Sequence, residues 1–422
     1  MIRHAVQADG TDAEPASTSE HIAQVPRISI QAFCESAETA GLMQTAGEDR
    51  RMVKAHLKVQ MGGIAAAVEA YRSSPTPNVI ILESASGGDA LIGGLDQLAE
   101  VCDAASRVIV IGRVNDITLY RDLVRRGVSD YLIAPVASID LIRAVSGLFC
   151  APEAKPVGRT IAVVGAKGGV GASTVAHNIA WALARDLSVD SVIADLDLPF
   201  GTAGLDYNQD PTQGIADAVL SPERIDTSFI DRLLSKCTDH LSLLAAPATL
   251  DRVYDFAAEA FETTFDVLRA TVPCIVLDVP HVWTGWTKRT LVGADEILIV
   301  AAPDLANLRN AKNLFDLLRA ARPNDHRPRY CLNQVGVPKR PEIKPADFAK
   351  ALKAEPAAVI PFEPQVFGTA ANNGQMIAEV AAGHRAAEMF RQLAQVLTGR
   401  SEVKRTKNPL SPLLEKLMRR QA

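Results

Sequence analysis

A short apolar strand, a glycine-rich loop and the start of a helix follow one another over residues 160–185, and no other stretch constrains the fold as much. The strand reads TIAVV (160–164), the loop AKGGVGAST (166–174) and the helix-forming run VAHNIAWALAR (175–185). Glycines let backbone N–H groups face an anion, and a helix N-terminus adds a partial positive charge. A glycine-rich turn without a ligand is the alternative, but the flanking strand and helix favour a phosphate-binding loop of a nucleotide site.

The loop departs from the standard form G-x-x-x-x-G-K-[ST], in which the lysine contacts the β- and γ-phosphates and the hydroxyl coordinates magnesium. Its first glycine is replaced by Ala166 and its lysine by Ala172, while Lys167 stands near the start of the loop. The run KGGVG followed by AST resembles the deviant Walker A loop of the ParA/MinD ATPases, whose early lysine reaches the nucleotide of a partner subunit. The resemblance implies ATP and Mg²⁺ as cofactors and Lys167 as a catalytic residue. The nucleotide-binding residues that it implies in this loop are Lys167, Gly168, Gly169, Val170, Gly171, Ala172, Ser173 and Thr174.

Length and composition predict the number of domains, the location of the protein and the state of its cysteines. A chain of 422 residues is too long for one ordinary core, which predicts two or three domains. Residues 1–26 are polar and lack the basic and apolar segments of a signal peptide, so they predict a disordered leader and a cytoplasmic protein. The six cysteines are scattered without a C-x-x-C spacing, which favours free thiols over disulfides or a zinc site.

Residues 27–150 alternate apolar runs with helical stretches, as expected for a small parallel sheet covered on both faces. The predicted strands are 28–33, 78–82, 107–111 and 130–133, and the predicted helices are 50–61, 63–71, 117–126 and 139–149. The segment resembles a response-regulator receiver domain, most visibly in PNVIILES (77–84) and GVSDYLIAPV (127–136).

The residues that give a receiver its chemistry are replaced here. The resemblance puts Glu83 at the position of the phosphorylated aspartate, Gly112 at that of the hydroxyl and Ala134 at that of the lysine. Phe33 and Cys34 end the first strand without an acidic pair for magnesium. We therefore expect a docking or dimerising module of receiver shape rather than a phosphorylated switch.

A proline-spaced linker, 151–158, leads into the second domain, 159–400. There the strand SVIAD ends in a D-x-D pattern, Asp195 and Asp197, and CIVLDVP carries Asp278 at the end of four apolar residues. In the ParA/MinD pattern Asp197 lies near the attacking water, while Ser173 and Asp278 hold magnesium. The alternative for Asp195 and Asp197 is that one of them caps the following turn.

The remaining predicted elements complete a mainly parallel sheet. The stretches 215–220, 229–236 and 252–265 are predicted helices, and 241–246 is predicted to be extended. The strand 329–335 contains Asn333, which reads adenine in the family; a turn-forming asparagine is the alternative. After the last strand, Pro361 and Phe362 are expected to form a wall of the base pocket. The predicted fold is thus α/β in two domains, a receiver-like (flavodoxin-like) domain followed by a ParA/MinD-type P-loop NTPase.

The degenerate receiver followed by this loop resembles the CpaE/TadZ branch of the family, which comprises pilus-assembly and localisation ATPases. The resemblance implies an ATP-dependent homodimer with weak hydrolysis that recruits Flp/Tad-type pilus and secretion components, with a polar landmark protein, at the inner membrane or cell pole. A partition ATPase and a nucleotide-binding scaffold without hydrolysis are the alternatives. The net charge of −5 disfavours a nucleic-acid partner. A reductase with an iron–sulfur cluster is disfavoured because no cysteine lies in either switch loop.

The tail, 401–422, differs in charge from the rest of the chain. From residue 400 onward seven Lys/Arg face two Glu, so this segment carries +5 and the remainder −10. Its apolar residues fall on one stripe at helical spacing: Leu410, Leu413, Leu414, Leu417 and Met418. A short basic amphipathic helix that makes peripheral membrane contact is one interpretation. A terminal helix docked on its own domain, or a frayed tail, is the other.

Overall fold

Two parallel β-sheets organise the chain, and their strands coincide with its most apolar runs. The computed structural model describes residues 22–149, 157–247 and 249–399, and the predicted tail and most of the predicted linker and leader lie outside these ranges. No helix within the described ranges is both long enough and apolar enough to cross a membrane.

The first sheet has five parallel strands in the order β2-β1-β3-β4-β5, which is the flavodoxin-like order. Its strands are β1 Ser29–Cys34, β2 His56–Met61, β3 Val79–Glu83, β4 Arg107–Gly112 and β5 Asp130–Ile133. Its helices are α1 Ala37–Gly47, α2 Gly63–Tyr71, α3 Asp89–Ala99, α4 Ile117–Arg125 and α5 Ser138–Gly147. Alternate residues of β3 enter separate clusters, Ile80 and Leu82 on one face and Val79 and Ile81 on the other, so both faces of the sheet are covered.

Two predictions for this part of the chain are wrong, namely the helix over 50–61 and the end of the leader. The helix expected over 50–61 is instead a turn followed by the edge strand β2, and α1 and α3 had not been predicted. The charged residues Arg50, Arg51 and Lys54 resemble a helix surface in the sequence, but they pair with carboxylates of the second domain. The leader also ends earlier than expected: Val25 is buried and its N–H donates to the Arg51 carbonyl at 2.8 Å.

The second sheet has eight strands in the order β13-β12-β11-β6-β10-β7-β9-β8. All its pairings are parallel except that between β8 and β9, which confirms the predicted mainly parallel sheet. Its strands are β6 Arg159–Gly165, β7 Ser191–Asp195, β8 Ser235–Lys236, β9 Leu241–Leu244, β10 Cys274–Val279, β11 Glu296–Ala301, β12 Arg329–Val335 and β13 Ala358–Pro361.

Helices cover both faces of this sheet. They are α6 Ala172–Arg185, α7 Ala203–Asp206, α8 Ile215–Leu220, α9 Thr227–Leu233, α10 Glu262–Thr271, α11 Gly285–Gly293, α12 Leu305–Ala321, α13 Pro345–Leu352, α14 Pro364–Asn373, α15 Ile377–Val380 and α16 Arg385–Leu397, with a 3₁₀ turn at Pro222–Arg224. The helix α6 packs on the central strands β6, β7 and β10, and it starts near the carboxyl end of β6, from which a short loop separates it.

Two helix predictions in this domain need correction. The helix expected over 252–265 begins only at Glu262, because the residues before it form turns that pack aromatic rings. There the Phe256 and Phe261 rings lie 5.5 Å apart and the Phe261 and Trp286 rings 4.8 Å apart. The helix expected over 229–236 ends at Leu233, and Ser235–Lys236 forms the edge strand β8.

The two domains meet through a buried cluster of ion pairs between their loops. Arg50 donates from Nε to Asp325 at 2.8 Å and from Nη1 to Asp295 at 3.2 Å. Arg51 contacts Asp325 as well, and Arg322 donates to it at 3.1 Å. Asp295 in turn accepts from the backbone N–H of Thr160 at 2.8 Å, at the start of β6. The contact therefore lies at the amino ends of β6 and β11, at the opposite edge of the sheet from the glycine-rich loop 166–174.

Candidate nucleotide site

The loop between β6 and α6 has the backbone that its glycines allow. Gly169 and Gly171 have φ of 78° and 80°, values that side chains rarely adopt, and Gly171 is the N-cap of α6. A Cβ at Gly171 would lie 2.6 Å from Nδ2 of Asn333, so a larger residue would collide there. The loop thus delivers its N–H groups to the N-terminus of a 14-residue helix, as an anion site requires.

Side chains from the neighbouring elements bind the carbonyl oxygens of this loop. The Gly165 carbonyl lies 2.8 Å from Nδ1 of His281, and the Ala166 carbonyl accepts from Asn310 at 2.9 Å. On the other side, Asn333 donates to the Val170 carbonyl at 2.8 Å and Gln334 to the Gly169 carbonyl at 3.1 Å. These four contacts satisfy carbonyl oxygens of the loop and hold it in shape.

The predicted loop residues take three different positions. Lys167, Gly168 and Gly169 are exposed, whereas Val170 is buried beneath the loop. Ala172, Ser173 and Thr174 form the half-buried first turn of α6, with Ala172 at its first position. The hydroxyls of that turn therefore lie where the helix N-terminus meets the loop.

The residues predicted for the base lie at the same edge of the sheet. Asn333 is 5% exposed, and its Oδ1 accepts from the N–H of Gln334 at 2.9 Å while Nδ2 holds the loop. Phe362 is exposed, and its N–H donates to the Val335 carbonyl at 2.8 Å next to Pro361, the end of β13. In this structure Asn333 shapes the loop, and a role in reading adenine stays a prediction.

Buried carboxylates lie beside the loop because β7 and β10 pair in register. Asp195 is directly opposite Asp278 in that pairing, and both are almost fully buried. Asp195 accepts from the N–H groups of Asp197 and Ala203, each at 3.1 Å. Burial and the neighbouring charge of Asp278 raise the pKa of Asp195 to about 7. The pairing of β7 with β10 thus places the carboxyl groups of Asp195 and Asp278 side by side.

Asp197 stands apart from this pair and is half-buried. Its Oδ1 accepts from the N–H of Phe200 at 3.2 Å, which is the capping contact considered as the alternative. Burial raises the pKa of the Asp197 carboxyl, with the charge of Asp278 adding to the shift. Capping occupies one oxygen, and the proposed position near an attacking water stays a prediction.

His177 was not singled out from the sequence, yet it lies at the centre of the buried charges. It is fully buried on α6, its Nδ1 is 2.7 Å from Oδ2 of Asp206, and its Nε2 is 3.3 Å from Oδ2 of Asp278 without the alignment of a hydrogen bond. His177, Asp195 and Asp278 offer ligand atoms within 4.8 Å of one another. Burial alone lowers the pKa of His177, but Asp206 and Asp278 outweigh it and raise the pKa to about 10.

The positions that serve phosphorylation in a receiver are filled by other contacts in the first domain. Glu83 is buried and accepts from the N–H groups of Glu35 at 2.7 Å and Ser36 at 2.8 Å, and from the Ser36 hydroxyl at 2.7 Å. Burial would raise its pKa, but these hydrogen bonds lower it. A Cβ at Gly112 would lie 2.6 Å from ring atoms of Tyr131, so the tyrosine occupies the space of the hydroxyl.

The five cysteines within the described ranges, Cys34, Cys102, Cys237, Cys274 and Cys331, are free, in line with the prediction of free thiols.

Comparison with known proteins agrees with these features. A family model described as an AAA domain matches residues 158–326. The septum site-determining protein MinD of Synechocystis is 31% identical over 163 residues, or 38% of this chain. The chain spans about 60% of the length of this curated relative.

Two solved structures extend the comparison. A ParA family ATPase from Chlorobium tepidum is 25% identical with a TM-score of 0.51, and the match covers 56% of this chain and 98% of that one. A pilus assembly protein CpaE from Caulobacter crescentus is 46% identical with a TM-score of 0.30, and the match covers 31% of this chain and 100% of that one. The second domain of this chain is thus similar to the MinD and ParA ATPases.

Proposed function

We propose that this protein binds ATP with Mg²⁺ at the loop 166–174, dimerises on the nucleotide and hydrolyses it slowly. The observation that carries the proposal is the loop itself. Its glycines adopt left-handed conformations, its carbonyl oxygens are bound by the protein, and α6 begins directly behind it. An anion is the ligand that such a loop suits.

The cation would lie between α6 and β10. Ser173 is in the first turn of α6, and Asp278 is near the end of β10, at the same edge of the sheet. A hydroxyl and a carboxylate are oxygen ligands that Mg²⁺ accepts, with water and phosphate completing its shell. When bound, the ion would neutralise charge on the β- and γ-phosphates.

Slow hydrolysis follows from position 172. An alanine starts α6 where the standard loop has a lysine, which removes one charge-assisted contact to the phosphates. Loss of one preorganised donor costs about 10² to 10³ in rate, whereas the loop N–H groups still support binding. Lys167 is exposed on the loop and is free to reach a nucleotide from a second subunit.

Exposed apolar side chains support dimerisation at this edge. Phe200, Trp283 and Leu305 each follow the carboxyl end of a strand, β7, β10 or β11, and each is more than half exposed. Large apolar side chains exposed near one another mark interaction sites more often than monomer surface. A dimer with its nucleotides at this edge would cover them.

The similarity to CpaE suggests the cellular role. We propose that the nucleotide-bound dimer is a localisation and assembly factor for Flp/Tad-type pilus biogenesis, held peripherally at the inner membrane or cell pole. Pilus and secretion components and a polar landmark protein are the proposed partners. A nucleotide-binding scaffold without hydrolysis is the second candidate, because Ala172 removes the lysine of the standard loop.

Calorimetry with ATP and Mg²⁺, together with light-scattering mass with and without nucleotide, tests the proposal. We expect wild-type protein to bind ATP and double its mass, and Lys167→Ala to bind ATP but stay largely monomeric. Lys350→Ala is the matched control, because Lys350 is an exposed lysine of α13. Absence of ATP binding by the wild type overturns the proposal. Binding and dimerisation with no detectable turnover support the scaffold instead.

A further inference from the structure

The imidazole of His177 lies between the carboxylates of Asp206 and Asp278 in the interior of the second domain. His177 lies four residues after Ser173 on α6, one helical turn deeper into the domain, and it is fully buried. Asp206 lies on one side of its ring and Asp278 on the other. The His177 ring thus lies next to Asp278 and one helical turn after Ser173, the two residues that are proposed to hold the cation.

The hydrogen bond to Asp206 fixes the proton on one ring nitrogen. A carboxylate can only accept, so the 2.7 Å contact between Nδ1 of His177 and Oδ2 of Asp206 requires a proton on Nδ1. Nε2 then faces Oδ2 of Asp278 at 3.3 Å. Nε2 is buried and makes no aligned hydrogen bond, and the carboxylate that it pairs with is that of Asp278.

The ring is also fixed by its surroundings. The hydroxyl of Tyr207 donates to the His177 carbonyl at 2.7 Å, and the two rings lie 5.7 Å apart. Asp206 ends the short helix α7, whose first residue, Ala203, donates its N–H to Asp195. Both ends of α7 therefore connect to the buried carboxylates, one directly and one through His177.

Within the described residues, His177 supplies the basic group within 4.0 Å of the Asp278 carboxylate. We propose that His177 is a positioning residue: it fixes the Asp278 carboxylate for the divalent cation of the nucleotide, and Asp206 fixes the imidazole. This inference rests on the proposed function, because it takes Asp278 as the residue that holds the cation. Partners of this kind typically change metal affinity by about 10- to 100-fold when removed.

The test separates positioning from a general structural role. The readout is the ratio of the ATP dissociation constant in EDTA to that in Mg²⁺, measured by calorimetry on the full chain. Loss of a structural contact alone lowers the thermal midpoint and leaves this ratio unchanged, whereas a displaced Asp278 lowers the ratio itself. Asp278→Asn sets the lower limit of the ratio.

Two amide substitutions of His177 test the contacts of its two ring nitrogens separately. His177→Asn keeps a donor near Asp206 but is too short to reach Asp278, and we expect it to lower the ratio by about 10-fold or more. His177→Gln places its amide near the position of Nε2, and we expect it to stay within about threefold of wild type. His240→Asn is the matched control, because His240 pairs with Asp190 at 2.7 Å but is exposed. This control should leave the ratio unchanged.

The outcomes are distinct. A His177→Asn variant that binds ATP with the wild-type ratio overturns the inference and leaves the proposed function intact. If His177→Asn does not fold, Asp206→Asn is measured instead, since Asp206 is partly exposed, and an unchanged ratio there overturns the inference equally. Wild-type protein that binds no ATP overturns the proposed function, and this inference with it.

Discussion

Arg50 lies in the turn between α1 and β2 and Asp325 in the loop between α12 and β12, and Nε of the arginine lies 2.8 Å from Oδ2 of the aspartate with each side chain 6% exposed. The acidic partner also accepts from Arg322. Burial of charged groups is tolerated only when the pairing is nearly complete, so removal of one member leaves the others uncompensated. This pair makes the contact between the two domains sensitive to single substitutions.

We expect Arg50→Ala to lower the free energy of unfolding by about 3 to 5 kcal/mol, because it removes one of the arginines that compensate the buried carboxylates of Asp295 and Asp325. Urea denaturation of the full chain measures the change. Arg125→Ala is the control, since Arg125 forms an exposed pair with Asp122 and should contribute less than about 1 kcal/mol. Equal effects of the two substitutions would contradict this account.

Acid should weaken the same contact. Burial alone would raise the pKa of Asp325, but hydrogen bonding and the charge of Arg50, with Arg322 and Arg51, lower it to about 2. A pKa below the unfolded value of about 3.9 means that the stabilisation is complete above pH 4 and is lost as the pH falls through 2. The expected loss is on the order of 2 kcal/mol. Denaturation curves of wild type and Asp325→Asn should therefore converge between pH 5 and pH 2, and parallel curves would refute the assignment.

The first domain should not react with phosphodonors. Acetyl phosphate and Mg²⁺ should give no adduct on residues 27–150 by intact mass, because Glu83 is engaged in capping contacts with the backbone at 35–36. Glu83→Asp should also stay unmodified, since Gly112 and Ala134 supply neither hydroxyl nor ammonium. An added phosphoryl group in either protein would show that the chemistry survives.

Restoring a lysine at position 172 should raise turnover. Ala172→Lys places an ammonium at the first position of α6, beside the loop, where it can stabilise developing phosphate charge. We expect phosphate release to increase by up to about 10² to 10³. Ala172→Met, of similar length without charge, is the control, and an equal increase with methionine would rule out the electrostatic explanation.

The tail provides a further prediction, on residues outside the described ranges. Removing 403–422 should abolish sedimentation with anionic vesicles, because each basic residue near such a surface contributes about 1 kcal/mol. Leu413→Ser with Leu417→Ser keeps the charge and removes part of the apolar stripe. Unchanged sedimentation after the deletion would mean that the tail does not target membranes.

The glycine-rich loop and the carboxylates Asp195 and Asp278 could be predicted from the sequence, because each is recognised from residues that are adjacent along the chain. The carboxyl ends of parallel strands meet at one edge, so the proximity of Asp195, Asp278 and the loop followed from the strands alone. His177 could not be found in this way, since it sits among apolar residues of α6 and its partners are distant in sequence. The turn at Arg50 was missed for the same reason: its charges are explained only by Asp295 and Asp325, across the domain contact.

The Tyr131 ring beside Gly112 fills the space that a phosphorylation pocket would need in the first domain. A phosphorylation pocket must open to admit a donor and must exist in two forms, and the difference between those forms is the signal. Here Tyr131 is buried in that space and its hydroxyl donates to the Val114 carbonyl at 2.9 Å, so the cavity has become part of the core. A phosphoryl group therefore has no space at this position, and the pocket cannot serve as a phosphorylation switch in the form that the structure shows.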